Sequence, residues 1–336
     1  ERIFYIATDG DDDTGEVNNI DKPYKTWRDA VKPQLQPGDA VIFREGVYKN
    51  IQASNLHGTD SSPIVIMSYP GEKVVIDDGR SIIVYNSNYL IFDGFITDNT
   101  LNDYGRGISG YTSNYVVFKN IECKGHSSGI HFTCDLPILI DNCVCHDNPS
   151  SHGMYLGTYD VPGSNTIIRN SLMYRNGRHG LQWNGKGNNL LVENNIIHSN
   201  ALGGISLING VSDSVFRDNL IFNNNKQGII LYQYDYAGRE ELSGSNDNNI
   251  FVNNLIWIGK YNCGIGGSNP IYYSAVEFND GEKQNRVFTG NIFRNNIFVT
   301  NEGPAFNFYQ HKHFPSTVIE NNIFYKMGNN PNIVMT

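Results

Sequence analysis

Apolar residues come in short bursts along this chain, and most bursts close on one charged residue followed by Asn or Asp. NYVVFKN, PILIDN, TIIRN, LLVEN and SVFRD are successive instances. The closing polar residue falls at Asn120, Asn142, Asn170, Asn194, Asp218, Asn253, Asn295 and Asn321. A second marker is a Gly that opens a run of alternating residues, at Gly107, Gly129, Gly153, Gly180, Gly204, Gly228 and Gly264. The successive Gly spacings are 22, 24, 27, 24, 24 and 36. Alternation with a period of two predicts strands, and a repeat in the low twenties predicts stacked, self-similar turns. The leucine pattern and helix of leucine-rich repeats are missing. Short strands between Asn and Gly turns therefore predict an all-β, single-domain parallel β-helix, a solenoid whose rungs contact only their neighbours.

The register has an internal test. The residue before each closing Asn should point outward, about 4.8 Å from its counterpart one rung away. That column reads Asp93, Lys119, Asp141, Arg169, Glu193, Arg217, and its signs alternate throughout. Like charges stacked at that distance repel, so alternation is what a parallel stack selects. Each exposed pair contributes little by itself. Residues 1–63 are expected to form an N-terminal cap and the first strands. Residues 64–336 are expected to form the rungs, with loop insertions at about 232–249 and 265–286.

The first fifty residues predict a strand at Ile3–Ala7, an acidic turn, a short helix from Thr26 to Val31, and a Pro37-Gly38-Asp39 turn into a strand at Ala40–Phe43. This arrangement resembles the N-terminal cap of secreted right-handed parallel β-helix proteins, including polysaccharide lyases. A stacked sheet needs such a cover because its open end exposes apolar residues and unpaired strands. No cofactor is required by the sequence. The acidic turn Asp9–Glu16 admits Ca²⁺, but without the EF-hand spacing, so a solvated loop is the plainer expectation.

Composition narrows the function. The chain has 336 residues, 34 Gly, 20 Tyr and 17 Phe against 5 Met, and a formal net charge of -9. The turn-rich, aromatic-rich balance suits an all-β protein, and the negative charge argues against general nucleic-acid binding. No apolar run reaches the length of a membrane span. The chain begins at Glu1 without Met, as a trimmed secreted protein does, so a secreted, periplasmic or cell-surface monomer is expected. The five Cys follow no zinc spacing and are expected to be buried thiols.

Candidate chemistry gathers on the Gly-led strands. The residue after Gly and the one two further on face inward, as in Met154/Leu156 and Leu181/Trp183. The residue between faces out, giving the column Ser109, His131, Tyr155, Gln182, Ser206, Ile230. The residue before each Gly gives Arg106, Ser128, His152, His179, Gly203, Gln227. Side by side these columns predict a patch with His152, Tyr155 and His179 as catalytic groups. Arg106, His131, Arg178, Gln182 and Lys186 are its expected substrate contacts, and no metal ligands are assigned. Tyr232 and Tyr234, in the 232–249 insertion, are expected to wall the groove, since aromatic faces stack on sugar rings. The patch spans about four rungs, roughly 15 Å. His and Tyr transfer protons near neutrality, and Arg or Lys neutralises a carboxylate. Such a set suits removal of the proton beside a uronate carboxylate, followed by loss of the 4-O substituent (elimination) or proton return from the other face (epimerisation).

Asn176-Gly177-Arg178-His179-Gly180 resembles the Arg-His-Gly segment of mannuronan C-5 epimerases, which are themselves β-helices. The resemblance implies that Arg178 and His179 contact a uronate. The epimerase Tyr-Gly-Phe-Asp-Pro-His motif is replaced by His152-Gly153-Met154-Tyr155. The Asp-Asp-Gly calcium cluster and strand Lys of family-nine pectate lyases are missing, as are the Glu cluster and Lys of chondroitinase-B-like lyases. The leading expectation is a polysaccharide lyase acting on a uronic-acid polymer. The alternatives are a uronan C-5 epimerase, a glycoside hydrolase of a plant or algal polysaccharide, and a non-catalytic carbohydrate-binding β-helix. A hydrolase needs two carboxylates about 5–10 Å apart. The outward columns as counted above hold none, leaving only loop residues such as Asp103, Asp160 and Asp235.

Overall fold

In the computed structural model the described residues are 2–99, 105–133, 137–157, 163–233, 244–259, 274–279, 287–301, 303–309, 316–327 and 333–335. Three long sheets of 12, 11 and 11 strands run the length of the molecule. Every strand pairs in parallel with the equivalent strand of the next rung. The charged-ladder sheet contains Asn114–Lys119, Ile138–Asp141 and Ile167–Arg169. The chain then turns into the second sheet, which includes Glu122–Lys124 and Val144–His146. It enters the third, the groove sheet, through Ser128–Thr133, Met154–Gly157, Leu181–Asn184, Ile205–Ile208 and Ile229–Tyr232. Inward positions such as Phe118, Phe132, Leu156, Trp183 and Phe216 are fully buried and form one continuous core.

The corner from the first sheet to the second explains the Asn column. Asn120, Asn142, Asn170, Asn194, Asp218, Asn253, Asn295 and Asn321 all adopt φ between 53 and 58°. That left-handed conformation is costly for most side chains and tolerable for Asn and Asp. The following residue does different work. Asn195, Asn219, Asn254 and Asn296 are buried at 1% exposure. The Asn195 backbone N–H and Nδ2 both donate to Asn219 Oδ1 at 3.0 Å, and Nδ2 also donates to the Ile168 carbonyl at 3.0 Å. A second internal ladder runs Asn148, Asn176, Asn200, Asn224 with Nδ2-to-Oδ1 distances of 2.8, 2.9 and 2.9 Å. The Asn abundance is thus only partly turn chemistry, since these amides close buried backbone groups that would otherwise go unsatisfied.

The charge ladder pairs as expected: Lys119 with Asp93 at 3.1 Å, Arg169 with Asp141 at 2.7 Å and Arg217 with Glu193 at 2.6 Å. Further up, Arg294 pairs with Glu320. The cap also follows expectation, with strands Ile3–Ile6 and Ala40–Phe43 paired and one short helical turn at Trp27–Val31 covering the end. Carboxylates of the acidic turn are engaged by the chain itself. Asp11 Oδ1 accepts the Asp13 and Thr14 N–H groups, and Asp12 binds Lys25 N, Thr26 N and Thr26 Oγ1. Cys123, Cys143 and Cys145 are free and buried, and burial pushes the Cys143 and Cys145 thiols up.

One stretch departs from expectation. Gly264 lies outside the described residues, and the position that follows Gly228 in the Gly column is taken by Ala275, whose carbonyl accepts the Ile229 N–H at 2.8 Å. Val276–Asn279, inside the expected 265–286 excursion, is a groove-sheet strand paired with Ile229–Tyr232. The expected excursion is thus interrupted by this strand, the rest of 265–286 except 274 and 275 lies outside the described residues, and the outward column continues from Ile230 to Glu277 and then Asn307.

Candidate active site

The groove sheet places the reactive residues as the Gly register requires. His131 stands opposite Tyr155, and Tyr155 opposite Gln182, which stands opposite Ser206. Backbone bonds put His152, His179, Gly203 and Gln227 in one adjacent column. Another runs Ser151, Arg178, Leu202, Lys226, through N–H to carbonyl bonds of 2.7, 2.9 and 2.7 Å. The three columns line a cleft of about 680 Å³.

Of the expected site residues, His131, His152, Tyr155, Arg178, His179, Gln182 and Tyr232 meet in this cleft. Arg106 and Lys186 are not among its described lining. Arg106 lies two rungs from Tyr155 and hydrogen-bonds the Tyr111 hydroxyl. Tyr234 is outside the described residues, as are Asp103, Asp160 and Asp235. Lys226 and Ser206 also line the cleft without having been assigned a role from sequence. Counting one column further back, from Arg178 through Leu202, finds Lys226.

The rings are packed in contact. His131 stacks on Tyr155 with centroids 4.6 Å apart, and His152 stacks on His179 at 5.4 Å and 7°. His152 also meets Tyr155 at 5.3 Å. His152 Nδ1 accepts the His179 backbone N–H at 3.2 Å, and Tyr155 Oη accepts Asn184 Nδ2 at 2.7 Å. Burial makes all three imidazoles hard to charge. His152 is lowered to about 2, by burial first and then by neighbouring His179 and Arg178. His179 is lowered to about 3, by burial and then Arg178, with contact to Gln182 opposing. His131 is lowered to about 4, by burial and then Arg106. The cleft floor therefore offers neutral imidazoles and a phenol under cations at the rim.

Parallel stacked rings do not aim their lone pairs at a shared point, and no group of three His, Cys, Asp or Glu suited to a metal occurs among the described residues. His126, His146 and His198 are not among the described lining of the cleft. His126 is buried with Nε2 3.1 Å from Thr97 Oγ1, while His146, Tyr174 and His198 stack in the second sheet.

Glu277 was missed from sequence. It occupies the outward column two rungs beyond Ser206 and is 2% exposed. Gln227 Nε2 donates to its Oε2 at 2.8 Å and Asn279 Nδ2 to its Oε1 at 3.1 Å. Burial raises its carboxyl above the usual range, against both hydrogen bonds and the charge of Lys226. The expectation that the outward columns hold no carboxylate is corrected by this residue.

The family model for the right-handed β-helix region matches residues 80–256, more than half of the chain. The chain belongs to the right-handed β-helix family. A second model, for chondroitinase B, matches residues 22–114, which include much of the cap. The pectate lyase PEL9 of Emericella nidulans is 38% identical over 77 residues, a segment that spans 22% of this chain and 18% of that enzyme. Among solved structures, the lacto-N-biosidase of glycoside hydrolase family GH136 from Eubacterium ramulus superposes with a TM-score of 0.69 at 15% identity, covering 96% of this chain and 68% of that one. The A-module of the Azotobacter vinelandii mannuronan C-5 epimerase AlgE4 gives 0.59 at 15% identity, with 89% and 91% covered. An alginate lyase from Paenibacillus gives 0.51 at 16%, with 89% and 95% covered. At these identities the solved structures speak for the right-handed β-helix fold.

Proposed function

We propose that the protein is a carbohydrate-active enzyme, and specifically a polysaccharide lyase that cleaves a uronic-acid polymer by β-elimination. One observation carries the reading. The Tyr155 hydroxyl, fixed by Asn184, lies in a cleft floored by neutral imidazoles and rimmed by Arg178 and Lys226, with no carboxylate among the described lining residues. Proton transfer and anion stabilisation are what this set can supply.

An imidazole lone pair, of His131 or His179, takes the C5 proton beside the carboxylate. The C–H electron pair becomes the C4–C5 double bond, the C4–O4 bond breaks, and the Tyr155 hydroxyl protonates the departing oxygen. Proton transfer from imidazolium to phenolate restores both groups. His152 has its Nδ1 lone pair committed to the His179 N–H, so it holds the His179 backbone as an acceptor and is not the base. Return of a proton to the opposite face of C5, without loss of O4, would make the same cleft an epimerase.

Incubation with alginates, pectates, glycosaminoglycans and neutral glycans tests the reading. Elimination yields an ultraviolet-absorbing unsaturated product, and its absence from every uronan sinks the lyase assignment. Glu277 favours a second reading, a glycoside hydrolase with Glu277 as proton donor, in line with the superposition on the lacto-N-biosidase. New reducing ends without unsaturation would select it. The similarity to pectate and alginate lyases supports a secreted or periplasmic setting and a polysaccharide partner. A monomer without nucleic-acid partners is proposed. Among the described residues no helix is long and apolar enough to cross a membrane.

A further inference from the structure

The cleft changes character along the axis. Its rungs at Tyr155 and Gln182 turn a phenol and the amides of Gln182 and Asn184 outward. On the next two rungs Ile208 and Ile230 take outward positions. Ile208 stands opposite Asn184 on one side and Tyr232 on the other. Ile230 precedes Tyr232 by two residues on one strand, so all three side chains share a face. The following rung is polar again, with Glu277 opposite Ile230 and Asn279 opposite Tyr232. The apolar segment is thus two rungs high, about 10 Å, between polar neighbours. Leu202, Ile208, Ile230 and Tyr232 all line the cleft, and none of them belongs to the buried core.

Single exposed aliphatic residues are ordinary on protein surfaces. These differ in being contiguous and in lining the same cleft as Tyr155 and His179. A sugar that carries only hydroxyls and a carboxylate finds no hydrogen-bond partner on the side chains of Ile208 and Ile230, and desolvating its polar groups there is costly. A methyl group in the same place gains from burial. Ile208 is opposite Asn184, which fixes the Tyr155 hydroxyl. The apolar segment therefore begins one rung, about 4.8 Å, past the residue that orients the proposed proton donor. That step is close to the advance of one pyranose along an extended chain, so the segment meets the sugar next to the reacting uronate.

We infer that Ile208, Ile230 and Tyr232 form an apolar subsite for a methyl group borne by the sugar next to the reacting uronate, so that the preferred polymer is not a plain homouronan. The methyl is either C6 of a 6-deoxyhexose or the end of an acetyl group. This rests on the uronan reading of the cleft and names the chemistry of the neighbouring unit. Polar side chains on the flanking rungs, Asn184 below and Glu277 and Asn279 above, confine the methyl to the two apolar rungs.

Calorimetric binding of two matched pairs of tetrasaccharides tests the subsite, while unsaturated product is followed in parallel. In the first pair galacturonate alternates with rhamnose or with its 6-hydroxy counterpart. In the second glucuronate alternates with N-acetylglucosamine or with glucose. The methyl-bearing member of at least one pair should bind about 10-fold or more tightly than its partner, as expected for one such group in an apolar pocket. The pair that shows the preference tells a 6-deoxy methyl from an acetyl. Ile208→Thr and Ile230→Thr keep a β-branched side chain in the strand and replace apolar surface with a hydroxyl. Each should lower the binding ratio several-fold, and because they lie on different strands either variant suffices if the other does not fold. Equal binding within both pairs, or a preference that survives a folded variant at both positions, would overturn the subsite. A methyl preference without unsaturated product from any uronate oligomer would defeat the elimination reading and leave the subsite standing. Unsaturated product with equal binding within both pairs would do the reverse.

Discussion

The backbone N–H of His179 donates to Nδ1 of His152 across 3.2 Å, so the two stacked imidazoles of the cleft are tied through one ring's lone pair. With Nδ1 committed as acceptor, the His152 proton resides on Nε2 and the ring is neutral. His179 and His131 are held neutral by burial as well. None of the three should change charge between pH 5 and 8 in the free enzyme. The pH profile of kcat/KM, which reports free-enzyme ionisations, should therefore show no step near the ordinary imidazole value of about 6.5. A step there that vanishes in His179→Gln would contradict the neutral floor.

The same depressed values set a stability slope. His126, His131, His152 and His179 have folded-state values of about 4, 4, 2 and 3. The unfolded chain takes up these protons below about 6.5 and the native state does not. Their contribution is complete above that pH and is lost as pH falls from about 6.5 toward the folded values. For His126 alone the loss at pH 5 is about 2 kcal/mol. Denaturant unfolding at pH 7.5 and pH 5 should show the drop, and His126→Gln should shrink it. Asp141, held low by Arg169, adds a loss of the same sign at lower pH, as the pH falls through its lowered value.

Tyr155→Phe keeps the ring against His131 and His152 and removes only the hydroxyl. Elimination should fall by about 10²- to 10⁴-fold, the range for general acid–base catalysis. Asn184 Nδ2 loses its acceptor, a change worth about 1 kcal/mol in stability. Initial rates beside a melting curve separate the two effects. A variant within a few-fold of the wild type would remove Tyr155 from the chemistry.

Glu277→Gln separates the competing reactions. One of the two donors, Gln227 Nε2 or Asn279 Nδ2, keeps an oxygen acceptor, and the other must turn its own amide to accept from the new NH2, so the fold should persist at a modest loss of stability. Under the lyase reading elimination should stay within about ten-fold. A hydrolase that uses Glu277 as its proton donor should lose at least about 10²-fold in reducing-end release.

The two Asn columns should respond differently to substitution. Asn200 is buried; its Oδ1 accepts from Asn176 N and Nδ2, and its Nδ2 donates to the Met173 carbonyl and Asn224 Oδ1. Asn200→Ala leaves several of these groups unsatisfied and should cost about 3 kcal/mol or more. Asn194 sits at φ 54° on the surface corner, where Ala costs about 1 kcal/mol and Gly almost nothing. Urea midpoints of the three variants, at equal m, check the ranking.

Much of the fold was legible because solenoid geometry turns three-dimensional neighbours into a fixed sequence spacing. Asp141 and Arg169 could be paired from counting alone, and their 2.7 Å contact follows from that register. His131, Tyr155 and Gln182 were placed side by side for the same reason. Counting failed where the spacing broke. After Gly228 the column passes to Ala275, so a search for Gly lands on Gly264 and hides the strand that carries Glu277. Pairs such as Asn194-Asn195 read as turn residues, yet only the first is one. Burial of the second depends on amide partners one rung away, which composition does not reveal. Lys226 escaped because the count stopped at the residue immediately before each Gly, one column short of it.

The buried Asn ladders carry a consequence for how such a chain can change. Each amide accepts from one rung and donates to another, so the ladders are directional tapes with one required side chain per turn. Deleting or duplicating a whole turn rejoins the tape and preserves every bond. An insertion of any other length must leave the tape intact and swing out elsewhere. Between Gly228 and Ala275 the spacing is longer than one turn, yet Asn219 still donates to Asn254 at 2.9 Å. The core thus tolerates growth in two forms, complete turns along the axis and insertions that leave the tape unbroken. That makes the tape, more than the apolar core, the part of each turn that cannot drift in length.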